Sequence, residues 1–331
     1  MLKALTSLIL AALLASAGPA RAADHIVFVV PAELVQLLPI YVAEDQGLWE
    51  KAGFDMKMVI IPSVGGMNAV IAGSADFSFS TGSAITRAAA HGQKLVAIVE
   101  LGNQSGQILV LRKDVADAAG FDPKAPLVTR AKALKGKTIA VGGIGSIADA
   151  FLKVIAHEGG IDASQIVATP MGASEFLSAF AQKKIDGFVF GAPFAQQAEI
   201  DGTGVIVADN TKPLIPDLSP SAAGLLVTRP GYCDEHRAIC EKMGHSMVEA
   251  VNFIDAHPQE AIASLRKRFA TVSDAVLAAS YEGVKAMTPN PPLTSAHDLA
   301  NSELINARAG FLKPEEQLKS YDALFTNEFV K

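Results

Sequence analysis

The chain has 331 residues, with 28 Lys and Arg against 34 Asp and Glu, so its net charge is −6 at neutral pH with histidine uncharged. Acids are in excess, and the densest basic run is only Arg266-Lys267-Arg268, so we expect no nucleic-acid partner. Half of the residues are hydrophobic, and a chain of this length has room for about two domains with a sizeable core.

The N-terminal segment has the pattern of a secretory signal peptide. Lys3 is followed by an apolar stretch over residues 8–14 and then by Ala20-Arg21-Ala22, a small-x-small cleavage motif. The stretch is shorter than the ~20 residues that span a bilayer, and no cysteine near the cleavage site could carry a lipid. We therefore expect residues 1–22 to be removed after Ala22 and the mature, soluble protein to reside in the periplasm.

Strand-like and helix-like segments alternate from residue 25 to residue 208, which predicts a mainly parallel α/β architecture. A further strand follows, and then the pattern becomes helical: Met243, Met247 and Val251 recur with Ile239 and Ile254 at steps of three and four residues, which predicts core packing. The predicted strands cover residues 26–30, 54–61, 76–80, 95–99, 107–112, 137–142, 165–170, 184–190, 204–208 and 223–229.

Two loop-like segments predict where the chain passes between two lobes. They are AAGFDPKAP at residues 118–126 and PLIPDLSPS at residues 213–221, which is rich in proline and serine. If both segments cross, the chain leaves one lobe, builds the second and returns, which leaves a cleft between them. We expect residues 23–112 and 222–331 to form the first lobe and residues 113–221 the second.

Ligand contacts are expected in the loops at the carboxyl ends of the strands, because open α/β sheets bind ligands there. These loops cover residues 31–39, 63–66, 80–83, 102–106, 145–148 and 191–194. The candidate contacts in them are Glu33, Gln36, Ser63, Gly65, Thr81, Gly82, Ser83, Gln104, Ser105, Gly145, Ser146, Ile147, Ala192 and Phe194.

The stretch TIAVGGIGSIADAF at residues 138–151 matches the dinucleotide fingerprint G-x-G-x-x-G/A at Gly143, Gly145 and Ala148. A dinucleotide site also needs an acid at the end of the next strand, but that strand ends in ATPMG, and Asp162 precedes it. We therefore expect no cofactor. The glycines instead predict a helix start at which backbone N–H groups and Ser146 face the oxygen atoms of a ligand.

The charge of the ligand is left open by the residues of these loops. None of the loops contains Arg or Lys, so an anion would depend on neutral donors and helix ends. Glu33 suits an amine-bearing ligand, although a solvent-exposed acid at the rim is the alternative. Thr81 and Ser83 can donate to a ligand or cap a helix, and Gln104 and Ser105 can form contacts or a turn.

The two cysteines, Cys233 and Cys240, lie close together in GYCDEHRAICEKM. A continuous helix would hold their Cα atoms ~10 Å apart, too far for a disulfide. It would place Cys233, His236 and Cys240 on one face, which together with His245 suggests a zinc site as the alternative. A helix break between residues 234 and 237 would let the cysteines meet. In an oxidising compartment we favour the disulfide.

Several runs, in order along nearly all of the mature chain, carry a family resemblance. They are PIYVAEDQGLWEKAGFDMKMV, PSVGGMNAVIAGSADFSFSTGSAITRAAAHGQKLVAIV, LKGKTIAVGGIGSIADAFL and GASEFLSAFAQKKIDGFVFGAPFAQQA. The chain resembles extracytoplasmic substrate-binding proteins of ABC importers of the nitrate, sulfonate, taurine and thiamine-precursor type. The resemblance implies a type II periplasmic binding fold with two α/β lobes and a helical C-terminal segment. It also favours ligand contact at residues 80–86.

The resemblance further implies that the protein captures a small organic solute, such as a sulfonate or an aromatic acid, and delivers it to an ABC permease as a monomer. Two alternatives are a periplasmic sensor subunit and a binder of a pyrimidine or other heterocycle. An enzyme is disfavoured, because the 7 histidines are scattered and the chain has neither H-E-x-x-H nor G-x-S-x-G.

Overall fold

Two five-stranded sheets form the frame of the computed structural model, which describes residues 23–62 and 64–331. In the first sheet the order is β2-β1-β3-β10-β4, and in the second it is β7-β6-β8-β5-β9. The strands are β1 (Asp24–Val30), β2 (Phe54–Ile60), β3 (Phe77–Ser80), β4 (Val96–Gly102), β5 (Ile108–Arg112), β6 (Thr138–Val141), β7 (Val167–Pro170), β8 (Gly187–Phe190), β9 (Gly204–Asp209) and β10 (Gly224–Thr228).

All ten predicted strands are present, with ends that differ by a few residues, as at residues 184–190, where the strand is Gly187–Phe190. The sheets are mixed, since β10 runs antiparallel to β3 and β4, and β5 runs antiparallel to β8 and β9. The remaining pairs are parallel. The predicted α/β fold with two lobes is therefore confirmed, with one reversed strand in each sheet.

Helices cover both sheets. Within the described ranges, none of them has the length and hydrophobicity of a membrane-spanning helix. The α-helices are α1 (Leu38–Asp45), α2 (Leu48–Lys51), α3 (Gly65–Ile71), α4 (Gly82–Ala90), α5 (Lys113–Ala118), α6 (Leu127–Ala131), α7 (Ile147–Glu158), α8 (Ala173–Ala181), α9 (Phe194–Ile200), α10 (Tyr232–Glu235), α11 (Arg237–Ala256), α12 (Pro258–Arg268), α13 (Asp274–Met287) and α14 (Ala296–Arg308). Short 3₁₀ helices lie at Val35–Leu37, Lys132–Leu134, Ala163–Gln165, Pro216–Leu218, Pro314–Glu316, Asp322–Leu324 and Glu328–Val330.

The apolar stripe predicted after β10 lies on α11 and packs into the core of the first lobe. Met243, Met247, Val251 and Ile254 are buried, and Ile239 is half-buried against the same cluster. This confirms core packing as the role of the stripe. Each buried aliphatic side chain of this size contributes about 1.5–3 kcal/mol by leaving water.

The lobe boundary differs from the expected one at residue 112. β5 pairs with β8 and β9, so the chain crosses to the second sheet between β4 and β5. Residues 119–126 form the loop between α5 and α6, inside the second lobe. The turn residues there had the composition of a crossing, but the strand pairing of β5 decides where the crossing lies. Residues 213–221 fall between β9 and β10, which belong to different sheets.

The end of α14 also departs from the expected division of the chain. Ile305 and Ala309 are buried in the core of the second lobe, and Phe311 packs against the same cluster. On the other side, the Asn306 amide donates to the carbonyl oxygen of Ser83 in α4 at 2.6 Å. This helix therefore contacts both lobes, so residues 222–331 do not belong to the first lobe alone.

Cys233 and Cys240 form a disulfide, with their Cα atoms 5.6 Å apart. The approach is possible because the helix breaks at His236, where φ is −129° and ψ is 47°, between α10 and α11. The break falls within the stretch that the spacing of the cysteines requires. The alternative zinc site has no counterpart in the described part of the chain, which contains no group of three metal-ligating side chains.

Candidate functional site

A cavity of about 390 Å³ lies between the two sheets, at the carboxyl ends of β1, β2, β3, β6, β7 and β8. This is the location expected for a ligand site in open α/β sheets, and its volume lies in the range of small-molecule sites. The cavity is lined by Pro31, Ala32, Leu34, Gln36, Ile60, Pro62, Val64, Met67, Phe79, Ser80, Thr81, Ser83, Ala84, Arg87, Ser105, Gln107, Gly142, Ile144, Gly145, Ser146, Ile147, Ala148, Met171, Gly172, Phe190, Gly191 and Ala223.

In the first lobe, the hydroxyls at the cavity come from the start of α4. Thr81 is extended and caps this helix, because its Oγ1 accepts from the N–H of Ala84 at 3.2 Å, and it lies 3.2 Å from the Oγ of Ser83. Ser83 is held from behind by the bond between Asn306 and its carbonyl oxygen. Capping and cavity lining are therefore combined in Thr81, whose O–H can still donate to a ligand.

In the second lobe, the loop between β6 and α7 forms the opposite wall. Ser146 caps α7 by accepting from the N–H of Asp149 at 3.3 Å. Gly145 has φ of +76°, a conformation that favours glycine. Its N–H donates to Asp149 Oδ2 at 2.7 Å, and the N–H of Ser146 donates to the carbonyl oxygen of Gly143 at 3.1 Å. These two N–H groups therefore have internal partners and do not face a ligand as predicted.

Arg87 was missed by the loop-based prediction because it lies inside α4. Ser83 and Arg87 are four residues apart, so they share a face of the helix, and both line the cavity. Nη2 of Arg87 crosses the cleft and donates to the carbonyl oxygen of Gly145 at 2.7 Å. A cation therefore enters a site that was expected to have only neutral donors.

A small charged cluster supports the Gly145 loop from the second lobe. Asp149 is fully buried and accepts from Lys153 Nζ at 3.1 Å as well as from the N–H of Gly145. The ring of Phe311 lies under both cations, 5.1 Å from Arg87 Cζ and 4.2 Å from Lys153 Nζ. Burial lowers the pKa of Arg87, while the negative charge of Asp149 opposes that shift, so the guanidinium stays protonated at neutral pH.

The crossing between β4 and β5 contributes a buried hydroxyl. Ser105 is 4% exposed, and its Oγ has no hydrogen-bond partner among the described residues. A buried hydroxyl without a partner costs free energy. A ligand that formed a hydrogen bond with this atom would remove that cost. Next to it, Gly106 allows Gln36 to approach, since a Cβ there would lie 2.0 Å from Gln36 Nε2.

Seven of the predicted contacts line the cavity: Gln36, Thr81, Ser83, Ser105, Gly145, Ser146 and Ile147. Apolar residues outside the predicted set complete the walls, and Ile60, Val64 and Ile144 are 55%, 43% and 60% exposed there. Ser63 lies outside the described residues. The other six, Glu33, Gly65, Gly82, Gln104, Ala192 and Phe194, are not part of the cavity lining.

Four of these six residues precede β8 in the chain, and each has another position or partner. Glu33 is exposed to solvent, and the side-chain amide of Gln104 donates to the carbonyl oxygen of Asn210 at 2.9 Å near the second crossing. Gly65 lies at the start of α3. The N–H of Gly82 donates to the carbonyl oxygen of Ala222.

On β8 and in the loop after it, Phe190 takes the position expected of Phe194. The Phe194 ring packs against Phe190 and Phe176, with centroids 5.4 and 5.7 Å apart, within the aromatic core of the second lobe. Ala192 packs against the core of the first lobe. The aromatic wall of the cavity therefore comes from the last residue of the strand, not from the loop that follows.

Comparison with known families agrees with this architecture. The model of the NMT1-like family matches residues 26–269. The chain belongs to the NMT1-like family. A search of the curated proteins finds no match.

Solved structures similar to this member of the NMT1-like family share its fold. A protein from Bordetella bronchiseptica superposes with a TM-score of 0.77 at 20% identity, covering 93% of this chain and 96% of the other. The periplasmic aliphatic sulphonate binding protein of Escherichia coli gives 0.64 at 19%, with 87% and 91% covered. The periplasmic nitrate-binding protein of Synechocystis gives 0.70 at 15%, with 93% and 87% covered. The predicted periplasmic binding protein fold is confirmed.

Proposed function

We propose that this protein is an extracytoplasmic solute-binding protein that captures a compact organic solute and presents it to an ABC permease. The observation that carries the proposal is the cavity between the lobes, where hydroxyls from both sides face apolar walls. The hydroxyls of Thr81, Ser83, Ser105 and Ser146 suit an oxygen-rich head. The walls suit an apolar or aromatic body, as in a sulfonate or an aromatic acid.

The similarity to binding proteins for sulphonate and nitrate supports this proposal through the fold. The cavity also suits binding better than catalysis, because its lining contains no histidine, cysteine or carboxylate that could act as a base or nucleophile among the described residues. Capture between two lobes requires that the ligand contact both, and residues of both line the cavity.

A thermal-shift screen tests the proposal with alkanesulfonates, aromatic carboxylates and hydroxypyrimidines as probes. A ligand at about a thousand times its Kd stabilises the folded state by ~4 kcal/mol, which raises the melting temperature by several degrees. We expect at least one probe to produce this rise, and we expect Ser146→Trp to abolish it by filling the second-lobe side of the cavity.

Ser273→Trp is the matched control for that variant. Ser273 is an exposed N-cap that accepts from the N–H of Val276 and lies outside the cavity lining. Both variants lose a cap worth ~1 kcal/mol, but only Ser146→Trp should lose the ligand-induced shift. Full ligand response in Ser146→Trp would place the site elsewhere.

Export is part of the same proposal, and its evidence lies in the sequence, because residues 1–22 are outside the described residues. Intact mass and N-terminal sequencing of the periplasmic fraction should show a chain beginning Ala23-Asp24-His25. An unprocessed chain in the cytoplasm would contradict a role in solute import.

A further inference from the structure

Arg87 is the one charged side chain in the cavity lining as the described residues define it. It is half-buried, and among the described residues it forms no ion pair within 4.0 Å. Its bond to Gly145 uses one of five N–H donors. A partly desolvated guanidinium with free donors is well suited to a carboxylate or sulfonate group.

Around Arg87, positive charge exceeds negative charge. Arg87 and Lys153 both lie over the ring of Phe311, and the acid beside them is Asp149, which already accepts from Lys153. Two cations therefore face one carboxylate. The charge of Asp149 also acts on Arg87, so the two cations and one carboxylate together keep a net positive charge beside the cavity.

Two helix starts add to the positive potential from opposite sides. The N-terminal residues of α4 in the first lobe and of α7 in the second lobe line the same cavity. The N–H groups of a first helical turn and the helix dipole favour a negative charge. Glu33, the acid that suggested an amine ligand, is exposed and outside the lining.

We infer that the cavity selects an organic anion, a carboxylate or a sulfonate with an apolar body, and that Arg87 is the residue that determines this selectivity. The inference rests on the proposed function and adds the residue that selects the anionic form of its ligand. The anionic group lies between Arg87 and the starts of α4 and α7, and accepts from the hydroxyls there. The apolar body lies against Ile60, Ile144 and Phe190.

Isothermal titration with matched probes tests this selectivity. Each probe is a straight-chain or aromatic carboxylate or sulfonate, compared with its neutral amide or sulfonamide and with an amine of the same skeleton. We expect the wild type to bind the acids at least about tenfold more tightly than the amides and not to bind the amines. Arg87→Met should lose at least about thirty-fold in acid affinity and no longer distinguish acid from amide.

Two further variants separate charge from folding. Arg87→Lys keeps the charge without the planar fork, so it should retain part of the preference for acids. Arg130→Met is the matched control, because Arg130 is also half-buried and donates to the carbonyl oxygens of Ala125 and Val207 but lies outside the lining. It should keep the full acid affinity of the wild type.

The outcomes distinguish the two levels of the argument. Equal affinity for acid and amide, a preference for amines, or unchanged acid affinity in Arg87→Met would overturn the selectivity while leaving a solute-binding protein. A wild type that binds no acid, amide or amine, and none of the hydroxypyrimidines, would overturn the proposed function and the selectivity together. Carboxylates bound without sulfonates, or the reverse, would support the inference and identify the anionic group.

Discussion

Among the described residues, Glu100 in the first lobe and Asp149 in the second are carboxylates with no exposed surface, and their surroundings differ. Asp149 in the second lobe accepts from the N–H of Gly145 and from Lys153. Glu100 on β4 in the first lobe has no hydrogen-bond partner for either carboxyl oxygen among the described residues, and it faces Thr294 and Asp298. Burial, and then the charge of Asp298, raises the pKa of Glu100 to about 9.

The difference shows how burial of a charge depends on partners. A buried carboxylate with a cation and an N–H donor can hold a loop in place, as Asp149 does for the cavity wall. A buried carboxyl without them is neutral and costs folding free energy. Neither acid is part of the cavity lining, but Asp149 bonds to Gly145, which is.

Replacing Glu100 with Gln should give the largest effect on stability. The folded protein retains a proton that the unfolded chain releases above about pH 4.5, so folding becomes less favourable as the pH rises from there to about 9. Glu100→Gln removes this penalty, and we expect it to increase the free energy of unfolding by roughly 3 kcal/mol at neutral pH. Urea denaturation across that pH range measures it, with a gain that grows as pH rises.

Glu303→Gln is the control for this comparison. Glu303 is also buried, but its carboxylate accepts from the N–H of Leu318 at 2.9 Å and from the O–H of Tyr321 at 2.8 Å. Glu303→Gln should lower the free energy of unfolding by about 1–2 kcal/mol. A Glu100→Gln variant that is less stable than the wild type at neutral pH would mean that Glu100 is ionised and paired in solution.

The disulfide of the first lobe should give a somewhat smaller effect. Replacing Cys233 and Cys240 together with Ser should lower the free energy of unfolding by about 2–3 kcal/mol for so short a loop, with no change in ligand affinity, because neither residue lines the cavity. Alkylation of the denatured, non-reduced wild type should label neither cysteine. Two labelled thiols would mean that Cys233 and Cys240 are not bridged.

The alternation of strand-like and helix-like segments predicted the ten strands, because hydrophobic periodicity is a local property of the chain. The two lobes were predicted from the loop-like segments at residues 118–126 and 213–221, of which only the second joins the two sheets, and from the family resemblance. The cleft loops followed from the rule on strand ends. The pairing of strands could not be predicted from local pattern. The composition of β5 does not indicate to which sheet it belongs, and its pairing with β8 and β9 places it in the second.

The candidate site was predicted less completely than the fold. The loops supplied Thr81, Ser83 and Ser146, but Arg87 lies one helical turn beyond Ser83, so a search restricted to loops does not include it. A signal was present, because residues four apart on a helix share a face. Phe311 had none, since its position under Arg87 depends on where α14 ends relative to both lobes.

Lys153→Met tests the partnered carboxylate of the second lobe. Without Lys153, Asp149 is buried beside the N–H of Gly145 alone, and we expect a loss of about 2 kcal/mol in the free energy of unfolding. Lys113→Met is the control, because Lys113 and Asp117 have the same spacing but are 53% and 61% exposed. It should cost less than about 0.5 kcal/mol. Equal losses would mean that burial does not strengthen the pair of Lys153 with Asp149.

The smallest effect concerns the ring that lies under both cations. Phe311→Leu keeps the apolar contact with the second-lobe core but removes the aromatic face beneath Arg87, so the guanidinium should be held less firmly toward the cavity. A cation–π contact worth about 0.5–1 kcal/mol corresponds to a loss of about twofold to fivefold in acid affinity, measured by the titrations used for Arg87. Phe121→Leu is the matched control, because Phe121 is also half-buried against the same core. Neither phenylalanine lines the cavity, but the ring under Arg87 is that of Phe311. Phe121→Leu should lower stability and leave the acid affinity unchanged. Equal losses of affinity in the two variants would mean that Phe311 acts through the stability of the second lobe and not through the position of Arg87.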